Sequence, residues 1–141
     1  MGLDYLDMMI IHSPQPWVEV NQILLHISNT PLELVEYFQK KGIAVEAYSP
    51  IAHGEILHQP EIASMAEKYG VSVPQLCIRY TLQLGAISLP KTGNPEHMKT
   101  NADVDFEISA EEFQTYRKLW IRSTLHRMLI FRPSVMTKLL M

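Results

Sequence analysis

Residues 43–50 read Ile-Ala-Val-Glu-Ala-Tyr-Ser-Pro, and this short stretch decides the fold class. Its first five residues are mostly apolar and too few for a stable helix, so they predict a buried strand over 43–47. The strand ends at Tyr48, Ser49 and Pro50, because proline cannot continue a sheet ladder. A glycine at Gly42, just before the strand, marks the end of a preceding helix.

That preceding helix has start and stop signals of its own. Thr30 is a predicted N-cap, Pro31 fits the first helical position, and Glu33 stands three residues after the cap. Lys40 and Lys41 suit the last turn, where positive charge is favourable. We expect its buried face to contain Leu34, Val35 and Phe38.

The same alternation of strands and helices continues along the chain. The other predicted elements are strands over 6–11, 20–24 and 86–89, a loop over 51–59, and helices over 60–69, 72–84, 94–101 and 109–120. Strands that alternate with helices indicate βα units and a parallel sheet. We therefore expect an α/β fold with about four parallel strands and flanking helices.

The composition fits one folded domain. The chain has 141 residues, of which 47% are hydrophobic and 19% charged. It has no run of eighteen apolar residues and no secretory signal, so we expect a cytoplasmic protein without a transmembrane segment. The single cysteine, Cys77, excludes an internal disulfide and is expected to be a core residue.

Charge divides the chain at about residue 120. The formal net charge is -3, but residues 121–141 contain four basic residues and no acidic one. The first 120 residues therefore hold 8 basic against 15 acidic residues, a net charge of -7. We predict a domain over 1–120 and a basic, atypical C-terminal tail over 121–141. No nucleic-acid motif accompanies the basic residues.

Four predicted strand ends carry recognisable tetrapeptides. They read Ile-His-Ser-Pro at 11–14, Val-Asn-Gln-Ile at 20–23, Ala-Tyr-Ser-Pro at 47–50 and Leu-Pro-Lys-Thr at 89–92. In this order, the chain resembles the aldo-keto reductases over about residues 1–119. The resemblance implies a partial (β/α)8 TIM barrel and NADP(H)-dependent reduction of aldehydes or ketones to alcohols, with a nicotinamide cofactor and a small carbonyl substrate as partners.

The resemblance also implies roles for residues near the strand ends, where barrel enzymes carry their chemistry. His12 corresponds to the active-site histidine that orients the substrate carbonyl. Gln22 corresponds to the residue that binds the nicotinamide carboxamide, and Tyr48 to the aromatic platform under the nicotinamide ring. Ser49 begins the loop that passes over the pyrophosphate.

The adenosine end of the cofactor is expected at the last strand. The resemblance assigns the adenosine 2′-phosphate to Lys91 and Thr92, and a contact with adenine to Asn101. Backbone N–H groups at the helix start near Asn94 are expected to face the same anion. His97 stands where the family often has an arginine, which weakens the expected preference for NADP over NAD.

Two departures from the family pattern accompany these matches. The strands correspond to family strands four, six, seven and eight, so the catalytic tyrosine, lysine and aspartate would lie upstream of Met1. Pro16 runs almost directly into Val20, which indicates an internal deletion. Strand 6–11 would then leave a gap, pair with another chain, or fail to form. We therefore expect no turnover from the chain alone.

Two alternatives to a cofactor-binding fragment stay open. A partial barrel has open sheet edges and could act as an interaction or dimerising module, and the chain could also be a non-functional remnant.

His53 and His58 are spaced five apart with Gly54 between them, which does not match the helical zinc motif. We therefore expect no metal site.

Overall fold

The structure is a computed structural model, and it describes residues 20–116. It contains three strands, β1 (Val20–Leu24), β2 (Ala44–Tyr48) and β3 (Ile87–Leu89). The four α-helices with both ends described are α1 (Leu32–Lys40), α2 (Pro60–Lys68), α3 (Val73–Gln83) and α4 (Pro95–Ala102). A fifth helix, α5, covers 110–116 within the described range.

The three strands form a parallel sheet in the order β1-β2-β3. Gln22 pairs with Glu46, and Leu24 pairs with Tyr48, which in turn pairs with Leu89. The α/β class and the parallel sheet are thus confirmed. The remaining predicted strand, over 6–11, lies outside the described residues, as do His12 and the 121–141 tail.

The two faces of the sheet differ in what they contact. Val45 and Ala47 of β2 pack with Ile23 of β1 against the buried side of α1, formed by Val35 and Phe38. Because side chains alternate along a strand and paired residues share a face, alternate positions lie on the opposite side. We call that side the inner face, and its residues on β1 and β2 include Gln22, Leu24, Glu46 and Tyr48.

The start of α1 differs from the prediction. Pro31 occupies the N-cap, and no side chain caps the helix. The Thr30 hydroxyl instead donates to the His26 carbonyl at 3.1 Å and bonds the buried Tyr80 hydroxyl at 2.9 Å. A tertiary contact with α3 has therefore displaced the local cap. Leu34 is 41% exposed, so the buried face of α1 is narrower than predicted.

The predicted loop over 51–59 is wrong, because a 3-10 helix covers Ala52–His58. The segment is interrupted at His53 and Gly54, whose φ angles are +53° and +91°. Ile56 from this segment is fully buried in a second apolar cluster. Burial of that side chain explains why a stretch with loop-like composition is held against the helices.

Cys77 belongs to the same cluster and is fully buried, as predicted for a core residue. Burial raises the pKa of its thiol to about 12. The cluster also contains Tyr80 and Tyr116, together with Ile62 and Ala66 of α2. The thiol is therefore a packing group without a nucleophilic role.

At the start of α5, only half of a capping box forms between Ser109 and Glu112. The Glu112 N–H donates to the Ser109 hydroxyl at 3.3 Å. The Glu112 carboxylate, however, accepts hydrogen bonds from Tyr69 and from Lys68 instead of from the Ser109 backbone. These bonds, Tyr69 first, lower the pKa of Glu112. The same residues connect α2 to α5.

Among the helices that begin and end within the described residues, α3 is the longest, with 11 residues. A helix needs about 20 residues to cross a bilayer. Within residues 20–116, no helix has the length and apolar character for such a span.

Candidate functional site

The carboxyl ends of the three strands lie at one edge of the sheet. Leu24, Tyr48 and Leu89 are in register, so the residues that follow Tyr48 and Leu89 leave the sheet side by side. In α/β folds this edge is where ligands bind. The strand-end motifs at 47–50 and 89–92 therefore meet at the expected place.

A cleft of about 620 Å³ opens at this edge. Its walls are the segment after β2, the start of α3, the loop after β3 and one side of α4. Cofactor and ligand clefts fall in the range of about 300–1,000 Å³. The residues predicted for the phosphate and adenosine end all line it: Ser49, Lys91, Thr92, His97 and Asn101.

The charge of Lys91 is available in this cleft. Its side chain is exposed. Across residues 20–116, the structure has one ion pair, between Lys68 and Glu112, so Lys91 is not neutralised by a described carboxylate. An unpaired ammonium at the mouth of a concave site attracts anions.

Thr92 and Asn94 shape the turn that leads into α4. The Thr92 hydroxyl oxygen accepts the Asn94 N–H at 3.1 Å, and the Asn94 side chain accepts the Glu96 N–H at 3.0 Å. These two N–H groups are therefore not free for an anion, contrary to the expectation for this helix start. A hydroxyl that accepts one bond can still donate its own hydrogen, so Thr92 retains a donor for the cleft.

Gln75 holds the opposite wall in place. It forms the capping box of α3 with Ser72, and its Nε2 donates to the Asp103 carbonyl at 2.7 Å. Asp103 directly follows α4. The start of α3 and the end of α4 are thereby fixed relative to each other. A glutamine three residues after a serine N-cap is a recognisable signal in the sequence.

His53 also lines the cleft, and sequence reasoning considered it only as a metal ligand. Its Nε2 lies 3.1 Å from the Ser49 hydroxyl. The nearby His26 is partly buried, and burial lowers its pKa to about 4, with Glu55 opposing and His53 reinforcing this shift. Within the described range, no three His, Cys, Asp or Glu side chains form a metal-binding group.

Gln22 and Tyr48 do not line the cleft and lie on the inner face of the sheet. The Gln22 Nε2 donates to Glu46 Oε2 at 3.2 Å. Tyr48 is 41% exposed, and its neighbour Ser49 lines the cleft. The predicted residues thus form two groups that meet at Tyr48 and Ser49. His12 lies outside residues 20–116.

Parallel strands, flanking helices and a cleft at the carboxyl edge are together typical of ligand-binding α/β folds. Comparison with known families makes the assignment specific. The Aldo/keto reductase family matches residues 18–121. The chain therefore belongs to the aldo-keto reductase family.

Individual relatives agree with this assignment. An uncharacterized oxidoreductase of Schizosaccharomyces pombe is 45% identical over 96 residues, which cover 67% of this chain and 35% of that protein. The crystal structure of a Gox0644 mutant in complex with NADPH has a TM-score of 0.67 and 35% identity, over 71% of this chain and 37% of the other. The Bombyx mori aldo-keto reductase in complex with NADP has a TM-score of 0.64 and 33% identity, over 71% and 36%.

The chain thus spans about a third of the length of these relatives. The structural neighbours are TIM barrels, and the described strands match part of one. This confirms the predicted family and the partial-barrel fold. Aldo-keto reductases similar to this chain bind NADPH or NADP.

Proposed function

We propose that this chain binds NADP(H) with the cleft at the carboxyl edge of its sheet. The observation that carries the proposal is the convergence of five predicted residues on one cleft of about 620 Å³. These residues come from three separate segments, after β2, after β3 and in α4. Their assembly in one cavity favours a common ligand over five unrelated surface positions.

In this proposal, the phosphate and adenosine end lies in the cleft. Lys91 supplies an unpaired positive charge, and Thr92 supplies a hydroxyl hydrogen, which together suit the adenosine 2′-phosphate. Ser49 and the following loop lie beside the pyrophosphate, and Asn101 contacts the adenine. His97 replaces a permanent cation, so the preference for NADPH over NADH is expected to depend mainly on Lys91.

The nicotinamide end lies on the inner face of the sheet. Tyr48 presents an exposed ring that suits stacking against an aromatic ligand. Gln22 supplies an amide for the nicotinamide carboxamide. The cofactor, when bound, would supply a hydride for carbonyl reduction, and His12 is the residue proposed to orient the carbonyl oxygen of a small aldehyde or ketone.

We further propose that the 141-residue chain alone binds the cofactor without turnover. Reduction of a carbonyl needs a proton donor as well as a hydride. No segment of this sequence resembles the strand ends that carry the catalytic tyrosine, lysine and aspartate of the family. Tyr48 does not replace that tyrosine, because its ring is assigned to the platform.

Thermal unfolding with and without NADPH tests the binding claim. At about 100 times its dissociation constant, a ligand stabilises the folded state by about 2.7 kcal/mol. We expect a cooperative transition that rises with NADPH, and no NADPH oxidation with a model aldehyde. A broad transition unmoved by NADPH would contradict the binding claim and favour a remnant, whereas steady NADPH oxidation would contradict the inactivity claim.

A second candidate function is self-association of this chain. Leu24 of β1 and Ile87 of β3 are 36% and 38% exposed and lie at inner-face positions of the two outer strands. A second copy could cover these apolar side chains and pair with an edge. Sedimentation tests this candidate: a concentration-dependent dimer supports it, and a monomer at all concentrations contradicts it.

The proposal extends to organisation and location. We propose that residues 1–120 form the cofactor-binding domain and that 121–141 act as a separate basic tail. A reducing compartment such as the cytoplasm suits a chain whose only cysteine is a buried free thiol, Cys77.

A further inference from the structure

Glu46 is an unusual residue for the centre of a parallel strand. Its side chain is fully buried, at 0% exposure, on the inner face of β2. Its Oε2 accepts a hydrogen bond from Gln22 Nε2 at 3.2 Å, across the register pair Gln22–Glu46. Glu46 Oε1 has no hydrogen-bond partner among residues 20–116.

Burial of this carboxyl group is costly for stability. The one ion pair within the described residues involves Lys68 and Glu112, so no described cation compensates Glu46. Buried acidic groups are rare unless they are paired. Sequences break such local rules mainly where function requires it. The cost therefore points to a role beyond packing.

The hydrogen bond determines which way the Gln22 amide faces. Gln22 Nε2 is the donor and Glu46 Oε2 the acceptor, so Gln22 presents its NH2 group to Glu46. The carbonyl Oε1 of Gln22 is then directed away from Glu46. Without such a partner, the glutamine amide can rotate by half a turn, which exchanges the positions of Nε2 and Oε1 at little energetic cost.

We infer that Glu46 is a positioning residue, which orients Gln22 so that its carbonyl oxygen accepts the N–H2 of the nicotinamide carboxamide. The inference rests on the proposed function, since it requires NADP(H) in the site. Glu46 is buried and does not contact the cofactor itself; it acts on the cofactor only through Gln22. The inference also predicts that the effect of Glu46 is confined to the nicotinamide half of the ligand.

Two ligands separate this role from a structural one. NADPH reaches both halves of the site, whereas adenosine 2′,5′-bisphosphate reaches only the cleft. Glu46→Gln keeps an acceptor but adds an NH2 donor, so the Gln22 amide is no longer held in one orientation. We expect this substitution to weaken NADPH binding by about 3- to 10-fold, as for loss of the hydrogen bond between the carboxamide and Gln22. Bisphosphate binding should stay within about twofold of wild type, which also shows that the variant is folded. Glu36→Gln, an exposed change on α1, is the matched control.

A double-mutant cycle then tests whether Glu46 acts through Gln22. In a Gln22→Ala background, Glu46→Gln should have no further effect on NADPH affinity. The inference is overturned if Glu46→Gln leaves NADPH binding unchanged, if both ligands weaken together, or if the two substitutions are additive. Failure of wild type to bind either ligand would instead overturn the proposed function, and this inference with it.

Discussion

The Ser49 hydroxyl and the His53 Nε2 lie 3.1 Å apart, and both residues have left-handed backbones, with φ of +51° and +53°. A left-handed conformation costs a residue with a side chain roughly 1–2 kcal/mol. The hydrogen bond closes this strained segment on itself beside the cleft. It therefore connects the shape of the loop after β2 to the proposed pyrophosphate contact.

We predict that His53→Ala weakens NADPH binding by about 3- to 10-fold. The substitution removes the hydrogen bond that fixes Ser49, and one net hydrogen bond contributes about 0.5–1.5 kcal/mol. Fluorescence or calorimetric titration measures the change. His58→Ala is the matched control, because His58 is exposed on the same 3-10 helix and does not line the cleft. Equal losses in both variants would contradict a specific role for His53.

Gly85, between α3 and β3, is expected to resist substitution. Its φ is +75°, and an added Cβ would lie 2.8 Å from Gln39 Nε2, which donates to the Leu84 carbonyl. We predict that Gly85→Ala lowers the free energy of unfolding by about 1–2 kcal/mol. Denaturant unfolding measures it. Gly93→Ala, where the Cβ meets open space, should change stability by less than about 0.5 kcal/mol; similar losses in both variants would refute the explanation.

His26 predicts how stability depends on pH. Burial lowers its pKa to about 4 in the folded state, against 6.5 for the ordinary side chain. Between these values the unfolded chain binds more protons than the folded chain. By linkage, the free energy of unfolding therefore rises with pH in this window, and the His26 contribution is lost as the pH falls from about 6.5 towards 4.

We expect His26→Gln to flatten this dependence, while His58→Gln leaves it unchanged. The measurement is the free energy of unfolding at several pH values between 4 and 7 for wild type and both variants. An equally steep dependence in His26→Gln would show that another group is responsible. The comparison uses differences between variants, so that titration of the other acids in this window cancels.

Much of the fold could be predicted from local signals. The strand over 44–48, the capping box of α3 at Ser72 and Gln75, and the stop at Gly85 all follow from short-range chemistry. Thr30 could not be assigned in this way, because its hydroxyl bonds a tyrosine fifty residues later. The 3-10 helix was missed for a similar reason, since burial of Ile56 against α2 and α3 stabilises it.

The candidate site, like the fold, could be predicted from the sequence only in part. Motif order identified Ser49, Lys91, Thr92, His97 and Asn101 as a group, and the structure brings them into one cleft. The sequence did not indicate that Thr92 and Asn94 satisfy N–H groups of their own turn. Nor did it single out Glu46, whose importance depends on cross-strand register.

The most direct test of the central claim is calorimetric titration with adenosine 2′,5′-bisphosphate and with adenosine 5′-monophosphate. If the cleft holds the 2′-phosphate through Lys91, wild type should bind the bisphosphate about tenfold or more tightly than the monophosphate. Lys91→Met should remove that preference, while Lys99→Met, an exposed change on α4 outside the cleft, should keep it. Equal affinity of wild type for both nucleotides, or no binding of either, would contradict the account.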